Sequence, residues 1–242
     1  MKMFGINFFE GTADKLCLEL TQRVENKIKT KIAFCDLNML GEISLCSDFN
    51  KLLSNFDFVL ADGSSVVLLQ RIFKPSSPIF RIPGPDFFKS MIEKDPLFTH
   101  FFLGSSDIVL KNMTIKAKAI NDKLKVAGTY SPVFENNFSS STIKTILDRV
   151  NPHNPEFLWV SFGCPKQEIF IEQNFSIINS TIFAAVGAAF DFYSGVVRRA
   201  PLFFRTLGVE FVYRFFSQPR TVKRIFRALF RVIFNIRNIY KP

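Results

Sequence analysis

Short, nearly continuous apolar runs alternate with amphipathic segments along most of this chain, and that alternation limits the folds open to it. Lys31–Cys35, Phe56–Leu60, His100–Leu103, Leu124–Ala127, Phe157–Phe162 and Thr181–Val186 read as strands. Ala13–Lys29, Ser64–Phe73, Pro85–Lys94, Ser106–Asn121, Ser139–Val150 and Lys166–Asn174 read as helices. Strands that are apolar on both sides have to be covered on both sides. Repeated strand, helix, strand therefore predicts an α/β fold: a mostly parallel sheet with helices on both faces.

Most of these strands run into a loop of small or polar residues. The loops are Asp36-Leu37-Asn38, Ala61-Asp62-Gly63-Ser64, Gly104-Ser105-Ser106, Gly128-Thr129-Tyr130, Gly163 to Glu168, and Gly187 to Asp191. Ligands of open α/β sheets bind outside the carboxyl ends of the strands. So many polar strand ends predict one pocket fed by several loops, although ordinary turn chemistry explains any single loop. Asp62 stands where a carboxylate can act as a general base. Arg81 lies in a loop stiffened by Pro83-Gly84-Pro85. Gln167 falls near the start of a helix, where anions are favoured, and Arg198-Arg199-Ala200-Pro201 offers two cations in a similar setting.

Several chemistries lack their residues. There is no Gly-x-Gly-x-x-Gly and no phosphate-loop signature, which disfavours a nicotinamide oxidoreductase or an NTPase. His100 and His153 stand outside any motif, so a histidine metal site or a Ser-His-Asp triad is not expected. Cys17, Cys35, Cys46 and Cys164 form no Cys-x-x-Cys pair and read as reduced thiols. Asp-x-Asp, the pair that commonly clamps a metal-bound diphosphate, is also missing. Carboxylates, arginines and backbone N–H groups are left to do the chemistry, with no metal and no cofactor expected.

Charge is segregated. The last 45 residues, Arg198 to Pro242, hold 11 Lys and Arg against the single acid Glu210, which accounts for the whole net charge of +10. An anionic partner is expected there. On a helical wheel with Val222 at zero, Ile225, Phe226, Leu229, Ile233 and Ile236 fall within about 60° of it. Arg220, Lys223, Arg224, Arg227 and Arg231 fall opposite, with Phe234 the exception. This pattern predicts an interfacial helix on anionic lipid over residues 219–237. The alternative is a helix docked on its own domain; a nucleic-acid helix would carry a less apolar back, so no nucleic acid is expected. No run of about 18 apolar residues is present, so no spanning helix is expected. Glu10 and Asp14 interrupt the N-terminal stretch where a secretory signal would be apolar.

Read in order, Ala61-Asp62-Gly63, Arg81-x-x-Gly84-x-Asp86, Phe102-Leu103-Gly104, Gly163-Cys164-Pro165-Lys166-Gln167-Glu168, Gly187-x-x-Phe190-Asp191-x-x-x-Gly195 and Arg199-Ala200-Pro201 resemble the WecG/TagA/CpsF glycosyltransferases. Gly208-Val209-Glu210-x-x-Tyr213-Arg214 and Gln218-Pro219 continue the resemblance, which covers roughly residues 30 to 225. It implies a Rossmann-like core over residues 1–197 and a helical appendage over 198–242 that associates with the membrane and completes the active site. It further implies inverting, metal-independent transfer of a hexose, N-acetylmannosamine or another, from a UDP-sugar to an undecaprenyl-diphosphate-linked sugar. The place would be the cytoplasmic face of the cell membrane, and the pathway bacterial surface polysaccharide synthesis.

Carried onto this chain, the resemblance makes Asp62 the catalytic base and Arg81 the arginine that steadies the leaving diphosphate. Asn38 and Gln167 become substrate contacts, together with Gly63, Gly104 and Asp191; Asp191 is expected to organise its loop. Arg214, Arg220 and Arg224 become the appendage cations that reach a diphosphate. The family often has Thr where this chain has Asp36, so Asp36 is a second candidate base. A homo-oligomer is compatible with this reading. The alternative function is a non-catalytic protein that uses the basic tail on a membrane surface or nucleic acid.

Overall fold

The computed structural model describes residues 2–3, 5–73, 79–94, 97–201, 203–204, 213 and 219–235, with the side chains of residues 3, 73 and 219–225 left out of account. A short antiparallel hairpin, β1 (Lys2–Met3) and β2 (Ile6–Asn7), opens the chain. There follow α1 (Ala13–Glu25), β3 (Thr30–Cys35), α2 (Leu37–Leu45), α3 (Ser47–Ser54), β4 (Phe58–Ala61) and α4 (Ser64–Phe73). Next come α5 (Gly84–Lys94), β5 (Thr99–Gly104), α6 (Asp107–Ile120), β6 (Lys125–Tyr130) and α7 (Ser140–Val150). The chain continues through β7 (Phe157–Ser161), α8 (Lys166–Asn174), β8 (Ile182–Ala185), α9 (Ala189–Ser194) and α10 (Pro219–Phe234).

Six strands form one sheet in the order β4-β3-β8-β7-β5-β6. The β3–β8, β8–β7, β7–β5 and β5–β6 pairs are parallel. Every residue of β3, β4, β7 and β8 is buried. The expected Rossmann-like α/β core is thus present, and its strands are the uninterrupted apolar runs that burial on both faces demands. Strand β6 is partly exposed, as an edge strand can be. Its Gly128, expected in a strand-end loop, lies inside the strand, where a Cβ would come within 2.6 Å of the Phe101 ring. Serines start two of the helices that leave the sheet: Ser106 caps α6 by accepting from Val109 N–H, and Ser139 caps α7 by accepting from Thr142 N–H.

By compactness the chain divides into two units. One comprises residues 1–12, 34–83 and 198–242; the other comprises 13–33 and 84–197. In the first, α10 packs along α2. Ala228 and Val232 are buried, whereas Phe226, Leu229, Phe230, Ile233 and Phe234 are exposed. The wheel put Leu229 and Ile233 at the middle of the apolar face, yet the helix is seated by its flank. Small side chains permit a closer helix approach there than the large apolar ones would. The sequence also reads as a helix over Pro201–Ser217, and that stretch falls almost wholly outside the described residues.

In the second unit, the core is built around Trp159 and His100, both fully buried. Trp159 Nε1–H donates to His100 Nδ1 at 3.1 Å, and Phe88 meets the indole edge-on at 5.1 Å. Burial holds the imidazole neutral and pushes its pKa down to about 3 from 6.5. The unfolded chain therefore binds a proton between these values that the folded chain refuses. Stability is expected to fall as pH drops below about 6.5, by up to about 1.4 kcal/mol per pH unit from this group. Urea denaturation from pH 7.5 to pH 5 measures it. His100→Asn keeps an acceptor near the Nδ1 position and should flatten the slope; an unchanged slope would assign the pH dependence to other groups.

Candidate active site

At the ends of β3 and β4, in the first unit, the chain concentrates polar groups. Asp36 follows β3 directly and is not in a loop, as the sequence suggested. Its carboxylate caps α2, with Oδ1 accepting from Met39 N–H and Oδ2 from Asn38 Nδ2, both at 2.9 Å. Asn38 thus sits in the first turn of a helix, with its Oδ1 buried and accepting no hydrogen bond within the described structure. That amide oxygen is suited to a substrate donor.

The Asp62 N–H donates to Cys35 O at 2.9 Å, which extends the β3–β4 register by one residue past the end of β4. The segment carrying Arg81 then lies beside β4. Ala61 and Arg81 form a parallel bridge, and Ile82 N–H donates to Ala61 O at 2.8 Å. Arg81 Nε donates to the carbonyl oxygen of Asp62 at 2.9 Å. A guanidinium is thereby fastened to the backbone of the residue whose carboxylate is the candidate base. Both residues are half-buried. Gly63 follows, and a Cβ there would lie 3.2 Å from Ser65 Oγ and 3.8 Å from Asp36 Cα. The structure therefore gathers Asp36, Asn38, Asp62, Gly63 and Arg81, which the sequence spreads over 46 positions.

The second unit has its own strand-end cluster. Gly104 closes β5 with φ of +113°, and a Cβ there would come within 2.4 Å of Ser161 O, so only glycine fits. Ser105 follows in a left-handed conformation, φ +57°. Three hydrogen bonds hold it: its N–H donates to Ser161 O at 3.1 Å, its hydroxyl to Asp191 Oδ1 at 2.8 Å, and its carbonyl accepts from Ser131 Oγ at 2.7 Å. Asp191 thus ties the segment after β8 to the loop after β5.

Gln167, only 3% exposed, brackets two loops. Its Oε1 accepts from Gly163 N–H at 3.2 Å and from Gly187 N–H at 3.0 Å, and its Nε2 donates to Glu168 Oε1 at 2.8 Å. Its carboxamide is occupied by the protein on both sides, which makes Gln167 a loop fastener. The family resemblance made it a substrate contact; the burial that engages it internally has no local signature.

Above these ends opens a cleft of about 200 Å³ lined by Gly104, Ser105, Ser161, Phe162, Pro132, Val133, Phe134, Phe138 and Lys166. The loop after β6 forms one wall, and sequence reasoning passed over it. Lys166 Nζ lies 3.7 Å from the Phe138 ring centre and donates to Glu135 O. Partial burial draws the Lys166 pKa down, against the pull of the nearby Glu135 charge. Glu135 is itself held by hydrogen bonds from the Thr142 hydroxyl and the Ser139 N–H, which lower its pKa. The cleft so offers aromatic faces, one cation and several backbone groups. The usable sequence signal was the pair Phe134 and Phe138 flanking Glu135 directly after a strand.

Arg214 lies outside the described residues; Arg220 and Arg224 are on α10, and their side chains also lie outside the description. All four cysteines are free thiols. Among the described residues no three His, Cys, Asp or Glu side chains gather closely enough to hold a metal ion, and no helix is long and apolar enough to cross a membrane.

A family model described as the glycosyl transferase WecG/TagA/CpsF family matches residues 1–241. The match runs through both strand-end clusters and the basic tail, and on it this chain belongs to the WecG/TagA/CpsF family of glycosyltransferases, enzymes of cell-surface polysaccharide biosynthesis.

Proposed function

We propose that this chain transfers a hexose, of N-acetylmannosamine type or another, from a UDP-sugar to an undecaprenyl-diphosphate-linked sugar, with inversion and without a metal. The observation that carries this reading is the fastening of Arg81 Nε to the Asp62 carbonyl, which fixes a cation beside a candidate base at the strand ends. In the reaction an acceptor hydroxyl oxygen attacks the anomeric carbon from the face opposite the diphosphate. The Asp62 carboxylate takes the hydroxyl proton as the new C–O bond forms. The bond from the anomeric carbon to the diphosphate oxygen breaks, and UDP leaves with the electron pair. Arg81 meets the charge that develops on that oxygen, the task a metal performs elsewhere. Asn38 and Asp36 stand beside Asp62–Gly63, where they would orient the acceptor.

Membrane association follows from α10. Its Phe226, Leu229, Phe230, Ile233 and Phe234 side chains are exposed and form one band, with Arg227 exposed beside it. A band of this kind lies in the headgroup region with cations toward anionic lipid, at the inner face where an undecaprenyl acceptor is presented.

Asp62→Asn keeps the size and the backbone of this residue and removes the base, so product formation should fall about a hundredfold or more while the melting temperature stays within a few degrees. Mass spectrometry of products from a panel of UDP-sugars with a short-chain lipid-diphosphate-sugar acceptor checks this. Unchanged turnover would move the base role to Asp36. In the same assay EDTA should leave the rate unaltered; a chelator-sensitive rate restored by Mg²⁺ would defeat the metal-free reading.

Replacing Phe230 and Phe234 together by Asp should reduce co-sedimentation with vesicles containing phosphatidylglycerol about tenfold or more, and leave turnover on a short-chain acceptor in solution intact. Undiminished co-sedimentation would take the membrane contact away from this band.

A further inference from the structure

We propose that α10 is a positioning element of the transfer site, acting through a close seam with α2, and that Gly41, Glu42, Ala228 and Arg231 are positioning residues for Asp36 and Asn38. This rests on reading the Asp62 cluster as the site of transfer. Helix α2 carries Asp36 as its cap and Asn38 in its first turn. Asn38, and the Asp36 carboxylate that Met39 N–H and Asn38 Nδ2 hold, are fixed only as well as α2 is fixed, and the one-residue step from β3 to α2 leaves the Asp36 backbone as the pivot for any tilt of the helix.

The seam restrains that tilt from the far side. A Cβ built on Gly41 would lie 3.1 Å from Ala228 Cα and 3.3 Å from its Cβ, so the two helices touch at backbone distance. One residue along, Arg231 donates to Glu42 Oε1 at 2.5 Å, and Val232 closes the contact, fully buried. Glycine inside a helix is unfavourable by about 1 kcal/mol relative to alanine. Its presence in the second turn of α2 is accounted for by this approach. The geometry gives the tail a task apart from supplying arginines or binding lipid. Its seated flank holds the acceptor-side groups in place, while the band on its other side stays available.

Two wedges test the seam from opposite sides, Gly41→Leu and Ala228→Leu. Leucine has far higher helical propensity than glycine and close to that of alanine. Neither substitution should therefore melt its own helix, and any loss must come from separation. Hydrogen exchange should show the Met39 and Leu40 amides of α2 exchanging about tenfold faster or more in both variants, with the amides of β7 unchanged. Turnover, normalised to UDP-binding sites titrated by calorimetry, should fall about tenfold or more with the UDP dissociation constant unaltered. A defect of folding alone would reduce the number of sites and leave turnover per site unchanged. The Glu42→Arg and Arg231→Glu exchange of charges should protect the α2 amides better than either single change.

Unaltered exchange at Met39 and Leu40 in both wedges would overturn the seam. So would faster exchange with unchanged turnover per site, since α2 would then move without consequence. A wild-type chain that binds no UDP would instead defeat the reading of the site. The exchange measurement would in that case still decide whether α10 restrains α2.

Discussion

A parallel strand buried on both faces meets water only at its ends. That constraint governs the molecule. Strands β3, β4, β7 and β8 have no exposed residue, so no functional side chain can project from their middles. Polar chemistry is driven to the carboxyl ends, where the backbone turns and its N–H and C=O groups leave the ladder. Those groups need new partners. At β4 the Asp62 N–H goes to Cys35, and the Asp62 carbonyl receives Arg81. At β7 the Ser161 carbonyl receives the Ser105 N–H, and the hydroxyl of Ser161 donates to Gly187 O at 2.6 Å. The hydrogen bonds that end the strands are also the ones that place the candidate catalytic groups.

The same constraint decides what could be read from the sequence. Strands β3, β4, β7 and β8 were visible because full burial leaves an uninterrupted apolar signature, and the observed ends of all six fall within a few residues of the expected ones. The Ala61-Asp62-Gly63 and Gly104 ends were visible because a strand followed by glycine or a short acid has few structural options. Helix α2 was not visible. Asp36-Leu37-Asn38 has the composition of a turn, and Gly41 in the second turn lowers helical propensity further. The segment is capped by Asp36 at its start and packed against Ala228 at its middle residue Gly41, a contact across 187 positions that no window on the sequence contains. Gln167 was placed correctly at a helix start, but its use was invisible. Whether a glutamine meets a ligand or two backbone amides depends on how near Gly163 and Gly187 come in space.

Of the two readings of the tail, the docked helix is seen, and the docking leaves a band of large apolar side chains exposed. A wheel divides a helix into an apolar and a cationic half and invites a choice between them. Here the seated surface is a third one, centred on Ala228 and Val232, where side chains are small enough for backbones to touch. Large apolar residues are the wrong material for such a seam, because they would hold the helices apart at ordinary packing distance. They are left outside, with Phe230 60% and Phe234 78% exposed.

That arrangement bears on why so much positive charge accumulates in one segment. Arg231 turns toward Glu42, whereas Arg227 remains exposed. An ion pair between half-exposed groups contributes little to stability, about 0–1 kcal/mol, so Arg231 is better understood as setting the rotation of α10 than its affinity for α2. Rotation is what matters for an interfacial helix. Turning α10 by one residue's worth, about 100°, would carry Ala228 away from Gly41 and swing the exposed Phe230–Phe234 edge to a new direction at the same moment. A single angular constraint therefore fixes both surfaces, and on the proposed reading this basic helix is at once an anchor outward and a brace inward.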